Sequence, residues 1–122
     1  MVFETRQFER WRRKTELRDE ALCGAVDEME QGLIDADLGG GLFKKRVALP
    51  GRGKSGGART LVATNRGDRW FFVFGFEKNE QENVDTVTLK ELKRFAAELL
   101  GANPSVLHSF LVSGLVEEIC HG

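Results

Sequence analysis

Residues Pro50 to Arg59 read PGRGKSGGAR, and Gly53-Lys54-Ser55 within them has the residue types of a loop that cradles a nucleotide phosphate. A P-loop also needs a glycine five residues ahead of Gly53, because the backbone must wrap closely around the phosphates, and that position is Ala48. It must then open a helix whose N-terminus faces the anion. Here Gly56-Gly57-Ala58-Arg59 leads instead into Thr-Leu-Val-Ala-Thr, a β-branched and apolar run of strand type. The nucleotide reading fails on both requirements. What remains is a set of cations on either side of a glycine-rich connection: Lys44 and Arg46 before it, Arg52 and Lys54 inside it, Arg59 after it. Such a set suits a phosphate presented by some other molecule.

The chain has 122 residues and a net charge of −1, which by itself argues against a nucleic-acid partner. The charge is unevenly spread. Between Leu42 and Trp70 the cations are Lys44, Lys45, Arg46, Arg52, Lys54, Arg59, Arg66 and Arg69, against the one acid Asp68. That segment carries about +7, which marks a focused contact with a polyanion; the competing interpretation is a solvated strand surface. The 30% charged and 41% hydrophobic composition is that of an ordinary globular domain. A single domain spanning 1–122 is expected, with 102–122 as a C-terminal extension. No apolar run approaches membrane-spanning length, and MVFETRQFERWRRK has no apolar signal core. A cytoplasmic location and no membrane contact are expected, and Cys23 and Cys120 are then expected as two free thiols.

The elements that must position the cations follow from periodicity. Thr5 is a candidate cap for a short helix to about Lys14. Asp19 is a candidate cap for a second helix, whose Leu22, Val26, Met29 and Leu33 recur at helical spacing. Residues 34–41, ending in three glycines, read as a loop. Strands are expected over Leu42 to Leu49, Arg59 to Thr64 and Arg69 to Phe76, with Pro50 to Gly57 and Asn65 to Asp68 as connections. The last strand is apolar on both faces, which suits a central strand covered on two sides; Trp70, Phe72, Phe74 and Phe76 then read as core, against base stacking as the alternative. Thr88 to Glu91 has the pattern of a capping box opening a helix to about Leu100, and Ser105 is a candidate cap for a short further helix. Leu115 to Ile119 reads as an extended tail. The fold class is α+β: N-terminal helices, an antiparallel meander of three or four strands, and C-terminal helices.

Three stretches, taken together, resemble the RelE/ParE toxin superfamily, and within it the HigB-type branch: LIDADLGGGLFKKR (33–46), GKSGGAR (53–59) and FGFEKNE (74–80). The similarity runs from Phe3 to Ile119. The resemblance implies a RelE-like, microbial-RNase-like fold and the toxin of a type II toxin–antitoxin pair. It implies a helix-turn-helix, HigA-like antitoxin as partner. It further implies cleavage of mRNA on the ribosome, with no metal and no cofactor, so that translation is inhibited.

Metal-independent RNA cleavage needs a base for the 2′-hydroxyl, cations for the phosphoryl oxygens and an acid for the leaving 5′ oxygen. By the resemblance, Arg59 and Lys78 fall where the superfamily places its phosphate-stabilising cations, and Lys54 falls near its loop lysines. Lys44, Arg46, Arg52 and Asn79 are candidate RNA contacts. Some members of the superfamily use a tyrosine here, and this chain has none. The general base is left among Lys54, Glu80 and Glu82, with a solvated loop as the competing reading for the two glutamates. His108 is expected on a helix surface. Two other function classes stay open: a ParE-like toxin acting on a protein target such as gyrase, and a non-catalytic RNA- or partner-binding module.

Overall fold

The computed structural model describes residues 1–78, 81 and 83–121, with Lys54 and Ser55 described by their backbone alone. The elements in order are β1 (Val2–Thr5), α1 (Arg6–Arg12), α2 (Asp19–Glu30), β2 (Ala36–Gly39), β3 (Leu42–Leu49), β4 (Gly53–Thr64), β5 (Trp70–Glu77), α3 (Thr86–Gly101), α4 (Pro104–Val112) and β6 (Val116–Ile119). All the strands form one mixed sheet in the order β2-β3-β4-β5-β1-β6.

The expected meander is present as β2 to β5, each antiparallel to the next. The sheet continues beyond it. β1 pairs parallel with β5 and antiparallel with β6. The segment expected as a loop contains β2, and the extended tail is the edge strand β6. β4 begins at Gly53, so most of PGRGKSGGAR is strand and the turn is confined to its first residues.

Apolar clusters cover both faces. On one side Phe8 of α1 and Leu22, Val26 and Met29 of α2 pack on Val47, Val62 and Phe72. On the other, Leu92, Ala96 and Leu99 of α3 and Leu107 of α4 pack on Leu42, Leu61 and Phe71. β5 is accordingly buried on two sides, and Trp70, Phe72 and Phe76 are core. Their alternation is broken by an irregularity in β4–β5 pairing, where Leu61 faces Phe74 and Val62 faces Phe72. The extra residue shifts Phe74 to the α3 side, where it is half-buried. Gly75 is fixed by close approach: a Cβ there would overlap the ring of Trp11.

The caps differ from several expectations. Thr5 caps α1 by accepting from the Phe8 N–H, as expected. α2 is capped at Arg18 with no side-chain bond, because Asp19 is already its first helical residue. α3 starts earlier than the Thr88 box, since the Asp85 carboxylate accepts from both the Thr88 N–H and its hydroxyl. Asn103, followed by Pro104, takes the cap of α4 in place of Ser105.

The expectation of two free thiols is overturned. Cys23 on α2 and Cys120 just past β6 form a disulfide, with their Cα atoms 5.6 Å apart. The separation of 97 residues hides this pairing in the sequence, and β6 closes it by returning beside β1.

Candidate anion cleft

Side chains two residues apart on a strand share a face. Lys44 and Arg46 therefore share the face of Leu42, and Arg59 that of Leu61, which is the side covered by α3 and α4. Register places Arg46 directly opposite Arg59, and Arg59 opposite Phe76. Beyond the reach of the helices this face opens into a cleft of about 370 Å³ lined by Asp35, Lys44, Arg46, Arg59, Lys78 and Asn83.

The two arginines are held differently. Arg59 is 8% exposed, and its Nη1 donates to the carbonyl of Gly57 on its own strand at 3.1 Å. Gly57 is a glycine for a steric reason, since a Cβ there would overlap the Val47 carbonyl oxygen across the ladder. Arg46 is more open. Its Nε donates to Asp35 Oδ1 at 3.1 Å, and its backbone N–H donates to Asp35 Oδ2 at 2.7 Å. Two cations at opposed positions of an antiparallel pair repel, and Asp35 offsets that repulsion. Lys44 lies at the rim with its Nζ 3.4 Å from Asn83 Oδ1, and Lys78 follows the end of β5.

The eight-cation segment thus divides by strand face and turn. Lys45 points to the opposite face, buried, and bonds Glu28 of α2 at 2.8 Å and the Leu33 carbonyl at 2.9 Å. Arg69 donates to the carbonyls of Leu99 and Ala102, closing the C-terminal end of α3. Arg66 sits 5.9 Å over the Phe43 ring. Arg52 pairs with Glu77 at 3.0 Å and does not line the cleft. Of the residues singled out from sequence, the fold brings together Lys44, Arg46, Arg59 and Lys78 and leaves Arg52 aside. Asn79, Glu80, Glu82 and the Lys54 side chain lie outside the described residues. His108 is exposed on α4 and is not among the described residues that line the cleft. Among the described residues no group of three or more His, Cys, Asp or Glu is placed to hold a metal ion, and no helix is long and apolar enough to cross a membrane.

Asp35 and Asn83 were not picked out by sequence. Asp35 falls in a stretch that reads as loop, and its role depends on the β2–β3 register, Ala36 opposite Lys44. Partial burial pushes the Asp35 carboxyl up, but the backbone N–H and guanidinium of Arg46, with the nearby charge of Lys45, outweigh it and hold the group below its ordinary value. A carboxyl with a depressed folded-state pKa stabilises fully above its unfolded pKa and loses that contribution as pH falls through the folded one. The stability difference between wild type and Asp35→Asn, followed by urea unfolding, is expected to be full at pH 7 and to disappear well below the unfolded aspartate value of about 3.9. A difference unchanged across that range would contradict the assignment.

An open cleft lined by cations, with a largely buried guanidinium among them, is chemically suited to an anion with more than one oxygen, such as a phosphodiester. Compared with known families, residues 1–119 match the family described as RelE toxin of RelE / RelB toxin-antitoxin system. No curated protein matches the chain.

Proposed function

The chain belongs to the RelE toxin family and is a toxin of a toxin–antitoxin system, and from that premise we propose that it is an endoribonuclease that cuts mRNA on the ribosome and so stops translation. The observation that carries this reading is the opposed pair Arg46 and Arg59 in an open cationic cleft. In the proposed reaction the 2′-hydroxyl oxygen attacks the adjacent phosphorus and its proton passes to a base. The bond from phosphorus to the 5′ oxygen breaks, and that oxygen takes a proton from an acid. The products are a 2′,3′-cyclic phosphate and a 5′-hydroxyl end. Arg59 and Arg46 stabilise the charge that grows on the non-bridging oxygens, and Lys78 stands ready at the rim for the leaving group. Lys54, Glu80 and Glu82 are the candidates for the base, and Asn79 and Lys44 for holding the flanking nucleotides. The chemistry as written uses neither a metal nor a cofactor. The cytoplasm, where ribosomes work, is the proposed location.

Purified protein added to translating ribosomes is expected to yield discrete new mRNA ends inside the reading frame. Intact mRNA under conditions that arrest growth would overturn the reading. A protein target such as gyrase is the second reading, favoured by the absence of any tyrosine from the chain. Loss of supercoiling activity without mRNA cuts would establish it.

A toxin of this kind has a cognate antitoxin, and we propose a HigA-like helix-turn-helix protein. Its neutralising element would be acidic or amphipathic and would lie over Arg46 and Arg59. Arg59→Glu is then expected to weaken antitoxin affinity by at least tenfold, on the scale of one lost charge-assisted contact of about 1.5–3 kcal/mol. Equal affinities of the two proteins in calorimetry would place neutralisation elsewhere.

A further inference from the structure

Asp35 is the one carboxylate among the described residues that line the cleft. In a site whose base is open, a lone carboxylate invites assignment as that base. The geometry argues otherwise. Both of its oxygens are engaged by Arg46, one by the backbone N–H at 2.7 Å and one by Nε at 3.1 Å. A carboxylate satisfied in this way is a weak proton acceptor, and efficient general bases are tuned in the opposite direction.

The same contacts describe a clamp. The Asp35 N–H donates to the Lys44 carbonyl at 3.0 Å, and the Asp35 carboxylate then accepts the N–H of Arg46. The residue therefore carries the pairing of β3 one step past β2, its side chain standing in for a strand. Its second oxygen takes only Nε of the guanidinium. The Nη atoms of Arg46 have no hydrogen-bond partner among the described residues and remain as a fork for two phosphate oxygens. The connection that carries Asp35 is itself tied down, because Lys45 holds the Leu33 carbonyl and Glu28 on the far side of the sheet.

We infer that Asp35 is a positioning residue: it aims the Arg46 fork at the scissile phosphate and screens Arg46 from Arg59, and it does not take the substrate proton. The inference rests on the endoribonuclease reading for the identity of the phosphate.

The test is a double-mutant cycle on Asp35→Asn and Arg46→Ala, read as single-turnover cleavage on programmed ribosomes, with thermal unfolding confirming that each variant folds. Asp35→Asn is expected to lower the cleavage rate about ten- to a hundredfold, the scale of a misaimed catalytic group. In the Arg46→Ala background the same change is expected to cost less than threefold, since nothing is left to aim. The acid limb of the pH–rate profile, along which a general base loses its proton, should keep its shape in Asp35→Asn. Independent, multiplying losses would overturn the inference, as would a wild-type rate in Asp35→Asn. Loss of the base-dependent limb would show that Asp35 is the base after all. If the wild-type protein cuts no mRNA, the endoribonuclease reading fails first. The same cycle is then read on the dissociation constant for a 2′-deoxy single-stranded oligonucleotide. Coupling between the two sites supports the clamp there, and additivity sinks it.

Discussion

Arg59→Ala is expected to reduce the rate of mRNA cleavage about 10²- to 10³-fold while leaving the folded protein intact. The size follows from what removal of one preorganised donor to a developing oxyanion costs, about 3–4 kcal/mol. Two features make Arg59 the position of largest effect. Its guanidinium is already held, with Nη1 on the Gly57 carbonyl, so little is spent in ordering it when substrate arrives. It also lies in the floor of the cleft, 8% exposed, where water weakens a charge–charge contact less than at the rim. Arg59→Lys is expected to recover only a small part of the rate, because an ammonium cannot reproduce the planar fork. The measurement is single-turnover cleavage, with mRNA ends mapped at saturating ribosomes. A rate within threefold of wild type in Arg59→Ala would remove the residue from the mechanism.

The second large effect concerns stability. The Cys23–Cys120 bond closes a loop of 97 residues, most of the chain. Constraining an unfolded chain over such a length is worth about 3–5 kcal/mol in the loop-entropy account. Reduction, or replacement of both cysteines by serine, is expected to lower the melting temperature by roughly 10–20 °C for a domain of this size. The loss should appear equally in the reduced protein and in the double variant. Superimposable melting curves with and without reductant, from protein whose bond state has been verified by mass, would show that the bond adds nothing. Because β6 is an edge strand with β1 as its one neighbour, the effect should be seen first in hydrogen exchange of β6.

Much of the cleft was legible because its determinants are local. The β-branched run after Ala58 marks β4, the apolar stretch from Trp70 marks β5, and the short connections force them to lie antiparallel. From that alone Arg46 and Arg59 come alongside each other. What could not be read depends on partners remote in sequence. β1, of which the sequence marks only Thr5, as a helix cap, goes unread as a strand because its pairing partners β5 and β6 lie far along the chain. Lys45 and Arg69 look like members of a cationic stripe; strand alternation turns one inward, and the end of α3 captures the other. The disulfide contradicts an expectation drawn from compartment rather than geometry. Asp35 gains its meaning only from the β2–β3 register.

The place of β1 between β5 and β6 has a consequence for how the molecule is made. Its residues are made well before either neighbour, since β5 begins at Trp70 and β6 at Val116. Phe3, fully buried in the folded protein, has to wait for its stacking partner Phe71 and then, longer, for β6, the strand that closes its far side. Vectorial folding from the N-terminus is therefore closed to this topology. A ribosome building these residues holds an incomplete sheet until β6 has been made and can close on β1.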